Sequence, residues 1–285
     1  MTSIASERPE RFSIGRAFSN TFSVIGRSFV PLAAIVGLFS TLPALLYNIW
    51  SFRQIAKIAV PGASFEQSAM AGYGAVSMIA GLVLLILAFL AQAALVRATI
   101  EDLNGKRPSI GDCIQIALRS FLPTLGIGLV IIVAMFLVAM ILTVITMAIP
   151  IVGGVIALLS LIPIAMWLIS ISVAVPVAVQ ERPGVFASIS RSRALTKGSR
   201  WRIFALFLVL GIVAIGLQAV FTLLFQAAIV SGGISTTGLI AAAIGSSLLS
   251  TIVSAVISVA IAVTYIELRQ VKEGTSVDEL AEIFS

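Results

Sequence analysis

The chain has 285 residues, 59% of them hydrophobic and only 11% charged, against about 25% charged in an ordinary soluble domain. With 18 Lys and Arg, 12 Asp and Glu and a mean hydropathy of +1.14, it is no ordinary soluble domain. Its charge is also unevenly placed: Phe121 to Gln180 and Ile203 to Ile266 contain no Asp, Glu, Lys or Arg, and each stretch is long enough for two membrane helices of roughly 20 residues.

Residues 1–10 read as a flexible tail. No short apolar core with a small-residue cleavage site lies near Met1, so a secretory signal is not expected there. Ile14, Phe18, Phe22, Ile25 and Phe29 then recur at helical spacing, with Arg16, Asn20, Ser23 and Arg27 on another face. That pattern predicts an amphipathic helix lying at the membrane surface.

Six apolar spans follow: Phe29 to Trp50, Tyr73 to Val96, Phe121 to Ala148, Gly153 to Val179, Ile203 to Val230 and Leu239 to Ile266. Pro150 with Gly153-Gly154, and Ser231-Gly232-Gly233 through Gly238, mark turns. Pro43, Pro163 and Pro176 predict kinks, with a broken transporter helix as the alternative. Of the 18 basic residues, 16 fall before span one, in the loops after spans two and four, or after span six. Only Arg53 and Lys57 lie on the opposite side. The excess of Lys and Arg on cytoplasmic loops therefore predicts six spans with both termini in the cytoplasm.

One unit is used three times. "SIGRAFSNTFSVIGRSFVP" leads into span one and "SIGDCIQIALRSFLP" into span three. In the second, Ser109 and Asp112 are placed like a capping box. Val185 to Lys197 forms a less regular third copy, stopped by Gly198, with Ser199 placed to cap span five. The expected membrane domain covers 11–268, with units of about 11–101, 109–181 and 185–267 and a tail at 269–285. Such a repeat of helical hairpins allows a pseudo-threefold arrangement.

Each returning span ends in a carboxylate, at Glu101, Glu181 and Glu267, where it opposes the helix dipole and calls for a cation. The expected partners are the entry residues Arg27, Arg119 and Arg200. These pairs read as structural ties, with a gating ring of charges as the alternative.

Uncharged polar residues also lie within the spans. Gln218, Thr222 and Gln226 recur on one face of span five; Ser247, Ser250, Thr251, Ser254 and Ser258 form a stripe on span six. Gln92 and Asn48 lie near the ends of spans two and one. They point either to helix packing or to a hydrated or lipid-headgroup cavity between spans five and six. Arg191, Arg193, Lys197, Arg200 and Arg202, with Trp201, form a basic cluster expected to hold the loop in the cytoplasm and to meet anionic headgroups. Part of that cluster is expected to reach Glu181 or Glu267.

Histidine is absent, which removes the commonest general base and neutral metal ligand. Cys113 is the single cysteine, so no disulfide forms within the chain. No Walker A, GxSxG or CxxC motif is present, and Glu101-Asp102 is a lone acidic pair. No cofactor, metal, catalytic residue or nucleic-acid partner is expected.

The stretches "ERPGVFASISRSRALTKGSRWRIFALFLVL" and "TYIELRQVKEGTSVDELAEIF" resemble a bacterial six-span family, the glycerophosphoryl diester phosphodiesterase membrane domain. Glu181, Arg191-Ser192, Leu195 to Gly198, Arg200-Trp201, Tyr265 to Arg269 and Lys272 to Gly274 carry the likeness. The resemblance implies a bacterial inner-membrane protein without the soluble catalytic barrel, whose biochemical role is largely undefined. The expectation is a non-catalytic module that binds or passes a lipid-related or amphiphilic ligand, or supports a membrane protein partner. The alternative is a membrane enzyme of phospholipid or glycerophosphodiester metabolism.

Overall fold

The protein is described here by a computed structural model covering residues 11–58, 67–232 and 236–273. The tail at 1–10, the expected turns at Gly62 and Gly233, and the chain beyond Glu273 lie outside the described residues. Eleven α-helices follow one another: α1 (Ile14–Arg27), α2 (Phe29–Val36), α3 (Leu42–Ile58), α4 (Gln67–Leu103), α5 (Ile110–Arg119), α6 (Phe121–Ala148), α7 (Pro150–Ile171), α8 (Ala174–Gln180), α9 (Val185–Thr196), α10 (Arg200–Gly232) and α11 (Thr236–Glu273). A π-helical turn, Gly37–Thr41, joins α2 to α3.

Six segments are long and apolar enough to cross a membrane: Phe29–Ser51, Gly72–Leu103, Phe121–Ala148, Pro150–Gln180, Arg200–Ala227 and Ile240–Glu273. The chain is an all-α polytopic membrane protein. Two of the three expected proline kinks, at Pro43 and Pro176, coincide with interruptions, whereas Pro163 lies inside the continuous helix α7. Span one contains the π turn, and span four breaks at Ser172-Val173, before Pro176. The expected domain end at 268 falls inside α11, which runs on to Glu273.

The entry helices α1, α5 and α9 sit at the charged end of the bundle; α1 and α5 are amphipathic, and α9 is not. Ser13 caps α1 by accepting the Arg16 amide at 3.5 Å. Ser109 occupies the N-cap of α5 but its side chain makes no capping bond, so the expected capping box does not form. Gly198 turns the chain between α9 and α10 at a φ of +88°, a conformation open to glycine at little steric cost. Ser199 precedes α10 and accepts the Ile203 amide through its carbonyl at 3.0 Å.

The repeat is visible in the packing. Each entry helix rests on the end of a returning span: α5 on α4 and α9 on α8, the spans before them, and α1 on α11, the last span. The last contact closes the series into a ring. Counting from Ser13, Ser109 and Gly184, the fourth residues (Ala17, Cys113, Ser188) are all buried. So are the eighth (Thr21, Ala117, Ser192) and the eleventh (Val24, Ser120, Leu195). The returning spans match: Ala94, Ala174 and Ala260 lie seven positions before the terminal glutamates, and Ala98, Ala178 and Thr264 three positions before them. All six are buried, and α4, α8 and α11 pack against one another. Small residues at helical spacing let membrane helices approach closely. The core thus sits at the charged end. Toward the other end the spans expose Leu46, Met78, Phe136, Met147 and Ile151, as lipid-facing helices do.

Candidate functional site

The terminal glutamates find cations other than the expected entry residues Arg27, Arg119 and Arg200, while the basic cluster does reach Glu181, as expected, through Arg191. Glu267 pairs with Arg16 of α1, Nε to Oε1, at 3.2 Å. Glu181 accepts from Arg191 Nε at 3.1 Å and from the Tyr265 hydroxyl at 2.9 Å. Arg191 also meets Glu273, which Arg269 holds at 3.0 Å. Glu101 pairs with Arg97, one turn back in its own helix, at 2.8 Å. Arg27 does reach α4, but it takes Asp102 at 2.7 Å, and Ser28 donates to the other oxygen of Asp102 at 2.6 Å. Adjacent residues on a helix point about 100° apart, so the carboxylate facing the end of α1 is Asp102 and not Glu101.

Arg119 and Arg200 make no ion pair among the described residues, and the Nε of Arg200 is buried without a hydrogen-bond partner. The reason lies in the turn at Gly198. Folding α9 back onto α8 places Arg191 beside Glu181, whereas Arg200 lies past the turn on α10, which packs on α1, α7 and α11. The basic cluster is therefore divided. Arg191 ties helices together, and Arg202 donates to the Phe12 carbonyl at 3.2 Å. Arg193, Lys197 and Trp201 are exposed, as a cluster meeting a membrane surface would be.

Cys113 lies within this layer, fully buried, its thiol 3.9 Å from Glu101 Oε2. Burial, with Glu101 nearby, pushes it up to about 12. Among the described residues no three His, Cys, Asp or Glu side chains gather in a metal-binding arrangement.

The polar residues inside the spans separate into two sets. Gln218, Thr222 and Gln226 do not line a cavity between spans five and six; they face outward. Thr222 donates to its own helix at Gln218 O, 2.8 Å away. The helix α10 is apolar on nearly every side, so its sequence pattern carries no signal of which face turns inward.

The serine stripe of α11 is divided: Ser247, Thr251 and Ser258 are buried, whereas Ser250 and Ser254 are exposed. Ser250, Thr251, Ser254 and Ser258 line a cleft with Gln92 of α4 and Ser40 of the π turn, of volume ≈ 430 Å³. Leu85, Phe89, Leu95 and Ile261 are among its apolar walls. Phe89 is seated against α6 at Gly128, where a Cβ would stand 1.9 Å from the ring; a larger residue there would push the ring into the cleft. The sequence reading named this stripe and Gln92 but not the space they share, and it missed Ser40.

These cavity side chains differ from many of the other span hydroxyls, though among the described residues Ser77 and Thr264, outside the cleft, also lack a partner. Thr99, Thr124, Thr143, Thr146, Ser160 and Ser170 each donate to a carbonyl of their own helix within 2.6–2.9 Å. Among the described residues, Ser40, Gln92, Ser250, Thr251, Ser254 and Ser258 make no such bond to another protein group.

The cleft is open along its length, where the lining residues Leu85, Ala88, Ser250 and Ser254 are exposed. Toward the charged end stand the packed alanines and valines of α4 and α11, including Ala93, Ala94, Val259 and Ala260. Toward the far end, Asn48 donates to Ser247 at 2.8 Å, and Trp50 stacks on Tyr73 at 5.7 Å. A second, apolar groove of ≈ 470 Å³ runs between span one and α11, past Phe29, Leu32, Leu42, Leu248, Ile252 and Val256. Val36, Thr251 and Ala255 line both spaces.

Comparison with protein-family models, curated proteins and solved structures gives no match to this chain.

Proposed function

We propose that this membrane protein is a non-catalytic module that binds an amphiphile in the cleft between span one, α4 and α11. The observation that carries this reading is the set of six hydroxyl and amide side chains that line the cleft without internal partners. Thr251 and Ser258 are buried there, Ser40 and Gln92 half-buried, and Ser250 and Ser254 exposed; polar groups within a membrane core demand hydrogen bonds. The adjoining apolar groove offers room for a chain beside a polar headgroup. The π turn supports the same reading, because such turns are frequent at functional sites and this one places Ser40 in the cleft and Thr41 in the groove.

In this reading the charged end lies in the cytoplasm of a bacterium and the protein resides in the inner membrane. The 16 basic residues on that side support the orientation. Likeness to the glycerophosphoryl diester phosphodiesterase membrane domain belongs to the same proposal, and it rests on the quoted residues alone. Exposed Arg193, Lys197 and Trp201 would meet anionic headgroups, apart from the cleft.

Native mass spectrometry of the purified protein tests this. Wild type should retain an amphiphile, Ser254→Trp should lose it by filling the cleft, and Gln218→Trp should keep it. Equal retention by all three would contradict the reading, as would hydrolysis of glycerophosphodiesters that copurifies with the protein.

A further inference from the structure

We propose that the amphiphile has an uncharged, hydroxyl- and ester-bearing headgroup, of the diacylglycerol type, and enters sideways between α2 and α11. This rests on the amphiphile reading above and narrows it. Every described residue lining the cleft is uncharged. The polar ones are hydroxyls and one primary amide, groups that both donate and accept. They can read a hydroxyl and an ester carbonyl at once.

An ionised headgroup would find no counter-charge there. On α4 the nearest ionisable residue is Arg97, five positions past Gln92, or about 7–8 Å along the axis. Its two terminal nitrogens are held by Glu101 at 2.8 Å and by Gln180 Oε1 at 3.5 Å, and its Nε is buried without a partner. On α11 it is Glu267, nine positions past Ser258, about 14 Å away, and that carboxylate faces Arg16. On the first span it is Arg27, nine positions before Val36, again about 14 Å off and paired with Asp102. An ionised group taken into a low-dielectric site without a partner is strongly disfavoured. A phosphate or carboxylate is therefore rejected where a glycerol hydroxyl and its esters are satisfied.

The route follows from the residues the two spaces share. Cleft and groove meet at Val36, Thr251 and Ala255, so a chain passing sideways between α2 and α11 crosses these three. Two of these present only apolar surface and the third a small hydroxyl, so a lipid chain crosses them without stripping charge. The headgroup then lies among Gln92, Ser254 and Ser258, and the chain remains in the groove beside Leu32 and Ile252.

The test is a native mass-spectrometric titration of delipidated full-length protein. The probes are dioleoylglycerol, dioleoyl phosphatidylglycerol and dioleoyl phosphatidylcholine, each at one fixed concentration. Dioleoylglycerol should form the adduct that falls at least tenfold in Gln92→Leu and in Ser254→Ala, both close in size to the residues they replace. Ala255→Trp should reduce it too, and circular dichroism checks that each variant is folded. If a phospholipid adduct is the one that depends on Gln92 and Ser254, the neutral class is wrong and the amphiphile reading stands. If no adduct responds to these substitutions in folded protein, both are wrong.

Discussion

Arg16 and Glu267 stand 251 positions apart in the chain, and their Nε and Oε1 atoms lie 3.2 Å apart. This contact joins the first amphipathic helix to the end of the last span and closes the ring of repeats. The arginine side chain is 48% exposed and the glutamate only 6%, so the two residues have unequal stakes. Exposed pairs contribute about 0–1 kcal/mol, but removing a partner from a buried carboxylate costs more. Arg16→Ala should lower stability in detergent by about 1–3 kcal/mol, and adding Glu267→Gln should recover part of that loss. Thermal unfolding of the single and double variants checks this. Arg119→Ala, by contrast, should change stability by no more than about 0.5 kcal/mol.

Glu181 joins three helices by accepting from Arg191 and Tyr265. Tyr265→Phe and Arg191→Ala should therefore each destabilise the protein, with a coupling of about 0.5–3 kcal/mol in a double-mutant cycle. Arg200→Ala combined with Glu181→Ala should be additive. Coupling in the second pair and none in the first would reverse the assignment of the tie to Arg191.

Cys113 is fully buried and its thiol is pushed up from an ordinary 9.0 to about 12. Only the thiolate alkylates readily. Iodoacetamide at pH 8 should leave folded protein unmodified and label it fully after denaturation, read by intact mass. Because the folded value is the higher one, the thiol contributes stability below pH 9 that is lost as pH rises toward 12. Cys113→Ala should lack that part of the alkaline decline.

Gln218 and Gln226 face away from the helices packed around α10. Gln218→Leu and Gln226→Leu should leave amphiphile retention unchanged, whereas Gln92→Leu should abolish it. Native mass spectrometry on the three variants separates the outward amides from the inward one. Loss of ligand in Gln218→Leu would restore a cavity beside span five.

What was legible in the sequence follows from the strength of each signal. Uncharged runs longer than 20 residues leave no soluble alternative, so the six spans emerged close to their observed ends. The stripe from Ile14 to Phe29 is equally direct. The basic cluster's reach to Glu181 was legible, but the partners of α1 were not, because which carboxylate faces α1 depends on the rotation of α4 and on α11 returning beside it. The ladder Ala94, Ala174, Ala260 was present to be read at a constant distance from the three glutamates and was overlooked in favour of the charges. The cleft was half visible. The serines of α11 were evident as a stripe, but Ser40 becomes part of the cleft only through the π turn, which Pro43 announced as a kink without giving its form. The outward glutamines drew equal attention because a primary amide is uncommon in a membrane span, whichever way it faces.

The most direct measurement is a cryo-electron microscopy structure in nanodiscs made from the lipids of the expressing cells. The account predicts density for an amphiphile with its headgroup within hydrogen-bonding distance of Gln92 and Ser254 and its chain in the groove beside Leu32 and Ile252. A cleft that is collapsed, or occupied only by ordered water bonded to Ser40, Ser250 and Ser258, would contradict it.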